Sequence, residues 1–258
     1  MNSKHAALST VLALMLVGCS SDQSPPATSP SSSTKAPTLA PTTTPSPTPA
    51  AAVTTAPTLV ATGPCTEVAS DAFVIVSGRA NIFGAGHELP PAPGEGGGGV
   101  LPPQVEVEIT GGAEVTFPCT SGRVDCCVGS SNSSPAGPEG AHGWNTNIDS
   151  HDGISGIIHT GTGVFLAGVF IGDDEPADPA PERLDFSETC PLECTFETLE
   201  PELGQVFYIG PGGDQPVYVA PEGATRLFLG VPDALVVTGP PGWYGNNSGQ
   251  FEVAVEVR

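Results

Sequence analysis

Phe251-Glu252-Val253-Ala254-Val255-Glu256-Val257 decides the fold class. A repeat of two places Phe251, Val253, Val255 and Val257 on one face of an extended chain. Glu252, Ala254 and Glu256 fall on the other, which is the pattern of a half-buried β-strand. Working back from it, short alternating or β-branched runs recur between clusters of Gly, Pro, Asn and Asp. They occupy 73–77, 105–109, 114–117, 154–159, 164–171, 206–209, 217–220, 226–229 and 235–238. No stretch keeps a helical period for three turns. With 33 Gly and 29 Pro among 258 residues, helices are disfavoured by entropy and by missing N–H donors. Many short strands separated by turn residues predict an all-β domain, an antiparallel β-sandwich over residues 65–258.

The chain carries 7 Lys and Arg against 28 Asp and Glu, a formal charge of −21. Nucleic acid needs clustered Lys and Arg to neutralise phosphates, and there is no such cluster, so nucleic acid is excluded as a partner. A polybasic contact with anionic lipid is excluded on the same ground. Catalytic signatures are also absent. Gly94-Glu-Gly96-Gly-Gly-Gly99 fits a dinucleotide pattern but follows Pro-Ala-Pro rather than a strand and opens no helix, so it reads as loop composition. No P-loop, nucleophile elbow or H-E-x-x-H run is present. His87, His142, His151 and His159 leave a hydrolase as a remaining alternative, but the reading is a non-catalytic protein.

The beginning of the chain reads as an address. Lys4 and His5 precede an apolar run over 6–17 that is too short to span a bilayer. Leu16-Val17-Gly18-Cys19 resembles the lipobox of bacterial lipoproteins. The resemblance implies a signal peptide over 1–18, cleavage before Cys19, and acyl chains (palmitate among them) on that cysteine. Ser20 in the next position favours the outer membrane or cell surface within the envelope. Residues 20–64 hold ten Pro, eight Ser and eleven Thr. Such a composition cannot bury a core, so 19–64 reads as a lipid-anchored disordered linker. Extended, it reaches about 140 Å at ~3.1 Å per residue.

With Cys19 assigned to lipid, six cysteines remain: Cys65, Cys119, Cys126, Cys127, Cys190 and Cys194. In an oxidising compartment they suggest three disulfides, with connectivity open. Cys190 and Cys194 could close a local loop. Zinc is the rival, but the second closely spaced ligand pair it needs is missing.

The stretch that carries chemistry is Asp233, then Pro241-Gly-Trp243-Tyr-Gly-Asn246-Asn247-Ser-Gly249. One reading is a strand, a long loop and an Asn/Gly turn. The other is an oxygen-rich Ca2+ site, since calcium takes 6–8 oxygens from carboxylates, amides, carbonyls and water. Asp233 would supply the carboxylate, Asn246 and Asn247 their amide oxygens, and Trp243 its main-chain carbonyl. Asn145, Asn147 and Asp149 alternate as in a calcium loop but lack its glycine and closing glutamate. Trp144 and Trp243 are read as core or rim residues. Asn132 and Asn246 each open a glycosylation sequon, read as coincidence.

The motif from Asp233 to Gly249 resembles the C-terminal motif of the PA-IL-like galactose-binding lectins. Gly112–122 with Val115-Thr-Phe, 165–172 and 224–230 resemble other strands of that family more loosely. The stretches around Asn81 and 228–249 are also similar to a group of uncharacterised exported bacterial proteins. The lectin resemblance implies a β-sandwich binding a galactose-type glycan through calcium. Asp233, Asn246 and Asn247 would hold both the ion and the sugar, with Trp243 adding its carbonyl. It further implies a carbonyl from an early loop, at 125–128, and a sugar contact near His151. The loop between Asp233 and Pro241 is about six residues longer than in the lectins. It would either displace Asp233 or cover the sugar position. A structural or protein-interaction module without a glycan is the alternative.

Overall fold

A computed structural model describes residues 70–190 and 194–258. The segments read as signal peptide (1–18) and linker (19–64), with Cys19 and Cys65, lie outside the described residues. The described chain forms twelve strands: β1 (Ala72–Ser77), β2 (Glu114–Asp125), β3 (Ala141–Ile148), β4 (Ile157–Gly163), β5 (Ala167–Ile171), β6 (Leu184–Asp185), β7 (Thr198–Leu199), β8 (Phe207–Tyr208), β9 (Gly213–Val219), β10 (Arg226–Gly230), β11 (Thr238–Gly239) and β12 (Ser248–Val257). Short 3-10 turns, not α-helices, complete the described residues. None of their helices is long and apolar enough to cross a membrane.

The strands form three sheets, ordered β1-β12-β2-β9-β7, β10-β5-β8 and β11-β3-β4-β6. The protein is an all-β sandwich. β12 lies inside the first sheet, antiparallel to β1 and to β2. Phe251, Val253 and Val255 are fully buried, as the alternation requires, while Glu252 and Glu256 stay partly exposed. Ala254 is buried as well, and the register with β2 shifts between Ala254 and Glu256. The bulge re-aims the last residues, so Val257 is only partly buried.

Aromatic rings join the layers. Phe207 on β8 stacks on Tyr218 of β9 at 4.7 Å and meets Phe170 of β5 at 5.3 Å. The Tyr218 hydroxyl donates to the Tyr208 carbonyl at 2.7 Å. Tyr208 then packs edge-on against His159 of β4 at 5.0 Å, which ties in the third sheet. Such pairs add about 0.5–1.5 kcal/mol beyond simple burial.

Two strand expectations need correction, and one strand was not expected. Residues 105–109 are not a strand, because Pro102 and Pro103 precede them and only Gln104 bridges to Phe228. Residues 235–237 form a 3-10 turn, and only Thr238–Gly239 continues as β11. β3, whose sequence Ala-His-Gly-Trp-Asn-Thr-Asn-Ile has no clean alternation, is a strand the pattern does not announce. It also settles the Asn145 and Asn147 pattern. The Asn145 amide oxygen accepts from the Gly161 N–H and that of Asn147 from Arg183, so both oxygens are engaged in β3 contacts.

Cys190 and Cys194 form the local disulfide. Cys126 and Cys127 form a disulfide between adjacent residues, and Cys119 is disulfide-bonded as well.

His159 is 1% exposed. Its Nδ1 lies 3.1 Å from the Thr160 carbonyl, and its Nε2 has no partner. Burial holds the imidazole below its ordinary pKa, outweighing backbone groups of Thr160 and Cys190 and the Asp185 charge, which pull upward. The unfolded chain therefore takes up the proton first. The contribution to stability is complete above the unfolded value and is lost as pH falls through it toward the folded one. His159→Phe is expected to flatten the drop in melting temperature between about pH 7 and about pH 5 relative to wild type. Parallel melting curves for the two proteins across that range would refute a neutral, buried imidazole.

Candidate functional site

Asp233 follows β10 at the point where Val231 bridges to Asn81. Its side chain is 3% exposed. The main chain there is pinned by Tyr244, whose buried hydroxyl accepts from the Asp233 N–H at 3.0 Å and donates to the Val231 carbonyl at 2.7 Å. Burial and the Asp233 charge raise the Tyr244 pKa well above its usual range, so the hydroxyl stays a donor. Asp233 Oδ1 accepts from the Ala234 N–H at 2.8 Å, and Oδ2 from the Asn247 amide at 2.9 Å.

The long loop after Asp233 does not displace it. Ala234 bridges to Pro241, and the Gly242 N–H donates to the Asp233 carbonyl at 3.0 Å. The loop is pinched shut at its base, so Asp233 and the Pro-Gly segment remain neighbours. Trp243 then adopts a left-handed conformation (φ 68°) and starts the 3-10 turn Tyr244–Asn246. Asn247 is 6% exposed. Its amide nitrogen donates to Asp233 Oδ2 and to the Gly78 carbonyl, both at 2.9 Å. With both donors spent, its amide oxygen is buried without a partner. The Asn246 amide oxygen is in the same state.

The Gly-rich loop set aside as composition supports this turn. Its carbonyls at Glu95, Gly96 and Gly97 accept from the N–H groups of Trp243, Gly245 and Tyr244. A Cβ at Gly96 would lie 2.7 Å from Trp243 Cα, and one at Gly99 only 2.3 Å from the Arg79 carbonyl. Both have positive φ. Glycine is required for chain conformation and for close approach alike.

The early loop also arrives. The Val128 N–H donates to the Asn246 carbonyl at 3.1 Å. Asp125, opposite Ser248 in register, accepts from the Cys127 and Ser134 N–H groups and from the Ser133 hydroxyl. A cavity of about 180 Å³ opens between these parts, with Asp233, Asn246, Trp243 and the Cys126–Cys127 disulfide in its wall. Trp144 and the turn 235–237 also line it. Val236 and Val237 both have positive φ, 47° and 52°. For β-branched residues this costs about 1–3 kcal/mol each.

The electrostatics are one-sided. Burial pushes the Asp233 carboxyl up to about 7, against the pull of its Asn247 and Ala234 hydrogen bonds. Among the described residues no Lys, Arg or His pairs with it. A desolvated carboxyl and two buried amide oxygens without hydrogen-bond partners are oxygen donors of the kind a hard cation takes. No cluster of three His, Cys, Asp or Glu side chains occurs among the described residues, so a cation here would rest on amide and carbonyl oxygens plus one carboxylate.

Asp233, Asn246 and Trp243 thus share one cavity, and Asn247 is joined to it through Asp233. His151 is not brought to it. It pairs with Asp152 at 3.1 Å in a turn leading to Gly153, which borders a different cavity. Sequence reasoning missed Tyr244, whose hydroxyl role depends on tertiary contacts, and the adjacent-cysteine disulfide. The chain matches no protein-family model and no curated protein.

Tyr244→Phe removes the partner of the Asp233 N–H and leaves the Val231 carbonyl with only the long 3.5 Å contact from the Ile82 N–H. A loss of about 1–3 kcal/mol in urea unfolding is expected. A change within a few tenths would show that the hydroxyl does not pin this segment.

Proposed function

We propose that the protein is a lipid-anchored, extracytoplasmic, non-catalytic protein whose β-sandwich binds a carbohydrate through Ca2+. The observation that carries this reading is the pair of buried amide oxygens of Asn246 and Asn247, without partners beside a desolvated carboxylate. Each unpaired buried acceptor costs about 1–3 kcal/mol, so a turn built only for structure would not keep two of them together. An oxygen-seeking cation satisfies all three groups at once.

Asp233, Asn246 and Asn247 would hold the ion, with main-chain carbonyls of Trp243 and of the 125–128 loop as further donors. Calcium when bound offers open coordination positions that vicinal sugar hydroxyls fill in place of water. The protein's own groups set the geometry. Tyr244 fixes the Asp233 main chain, Asn247 orients the carboxylate through its amide, and the pinched loop keeps Gly242 against Asp233. One carboxylate makes for modest affinity, on the order of 10⁻⁴–10⁻³ M, as in extracellular calcium modules. The resemblance of the motif to galactose-binding lectins supports a galactose-type glycan. The lipobox-like segment supports acylation of Cys19, with the bilayer as partner and the outer membrane or surface as location, and the Pro/Thr-rich stretch would serve as spacer.

Calcium at a hundredfold excess over its Kd is expected to raise the melting temperature by about 5–10 °C. Asn246→Ala is expected to abolish that shift without lowering the calcium-free melting temperature, because it removes a buried acceptor that has no bond to lose. A melting temperature indifferent to calcium and chelator would refute the ion site. A calcium response with a blank glycan array would favour the interaction-module alternative. Separately, Cys19→Ser is expected to move the protein from the membrane fraction to the soluble fraction and to stop palmitate labelling in a bacterial host. Continued labelling would refute the anchor.

A further inference from the structure

Val236 is the least economical residue in the molecule. It sits at φ 47°, where a β-branched side chain is strained, and it is 62% exposed. Its neighbour Val237 is equally strained but buried, and a Cβ at Gly163 would lie only 3.1 Å from its Cγ1. Burial accounts for Val237. No burial offsets Val236. The same loop uses glycine for its next positive-φ position, Gly239 at 81°. Of the five positive-φ non-glycine residues described, Val236, Val237 and Trp243 all line the cavity beside Asp233 and Asn246. Strain of this kind collects at ligand clamps.

The same cavity is lined by Trp144 and by the Cys126–Cys127 disulfide, a compact apolar surface from adjacent residues. Its polar lining is Asp233, Asn246, Ser130 and Asn132. The cavity, about 180 Å³, is close to the ~150 Å³ that accepts one six-membered ring. It lies below the ~300 Å³ at which sites for larger ligands begin.

We propose that Val236, Trp144 and the Cys126–Cys127 disulfide form an apolar collar that grips the C–H face of a single terminal pyranose. This rests on the calcium reading above, in which the ring's diol faces the ion. A pyranose matches the cavity chemically, being a ring with hydroxyls along its edge and C–H groups on its face. The collar makes Val236 and the disulfide specificity-determining, and restricts recognition to chain ends rather than chain interiors.

The test uses the full chain in excess calcium, with a panel of methyl glycosides of hexoses and 6-deoxyhexoses as probes, titrated by calorimetry. Val236→Gly removes the side chain and suits the backbone. It is expected to melt no lower than wild type, to keep the calcium-dependent thermal shift, and to bind the best glycoside about tenfold more weakly. Cys126→Ser combined with Cys127→Ser is expected to weaken glycoside binding in the same direction. A disaccharide carrying the preferred sugar at its non-reducing end is expected to bind within about twofold of the methyl glycoside. Unchanged glycoside affinity in Val236→Gly, with wild type binding and the calcium shift intact, overturns the collar and leaves the calcium reading standing. Tighter binding of internal chain segments than of ends also overturns it. Absence of any calcium shift in wild type overturns the underlying reading, and the collar with it.

Discussion

A carboxylate buried without a positive partner is among the most expensive things a fold can contain. Asp233 is buried to 3% exposure, and the hydrogen bonds it receives from Ala234 and Asn247 only partly offset its desolvation. Much of the surrounding structure serves to keep it there. Tyr244 is fully buried to hold its main chain, and Asn247 spends both amide hydrogens on Asp233 and Gly78. The Gly-rich loop, with its unusual backbone, supports the turn that carries Tyr244. These arrangements position one negative group beside a small cavity.

The separation of labour between sheets and loops follows from this. Aromatic contacts such as Phe207 on Tyr218 make the sandwich rigid without touching the site. The site is then assembled from loops at the ends of β2, β10 and β12. Loops positioned by a stiff framework are where recognition usually sits. The loop after Asp233 leaves the geometry at its base undisturbed. Its ends are bridged by Ala234 and Pro241, so its interior is free to vary.

How far the sequence could be read depended on which contacts were local. The strand ending at Val257 was legible because its alternation matches one buried face. The neighbourhood of Asp233 and the 241–249 turn follows from their nearness in sequence, with the Ala234–Pro241 bridge closing the loop between them. β3 was hidden, since its polar and glycine residues carry no period and its pairing with β4 supplies the order. Residues 235–238 misled, because Leu-Val-Val-Thr has strand propensity while closure of the loop forces a turn. The role of residues 94–99 was illegible for a related reason. Only the approach of Trp243 and Tyr244 shows why glycine is needed there. His151 lies away from that cavity because its turn is fixed by the bridge to Ile154.

The pairing of β1 with β12 also has a mechanical side. β1 is an edge strand and runs antiparallel to β12 from Ala72 opposite Val255 to Ser77 opposite Gln250. Just past its far end, Gly78 receives the Asn247 amide. Tension transmitted through the chain ahead of residue 70, with the other end held at Asn247, therefore runs along β1. Its cross-strand bonds are loaded together, in shear, rather than peeled off one after another. β1 is thus stiff in the direction of a pull on the chain ahead of it.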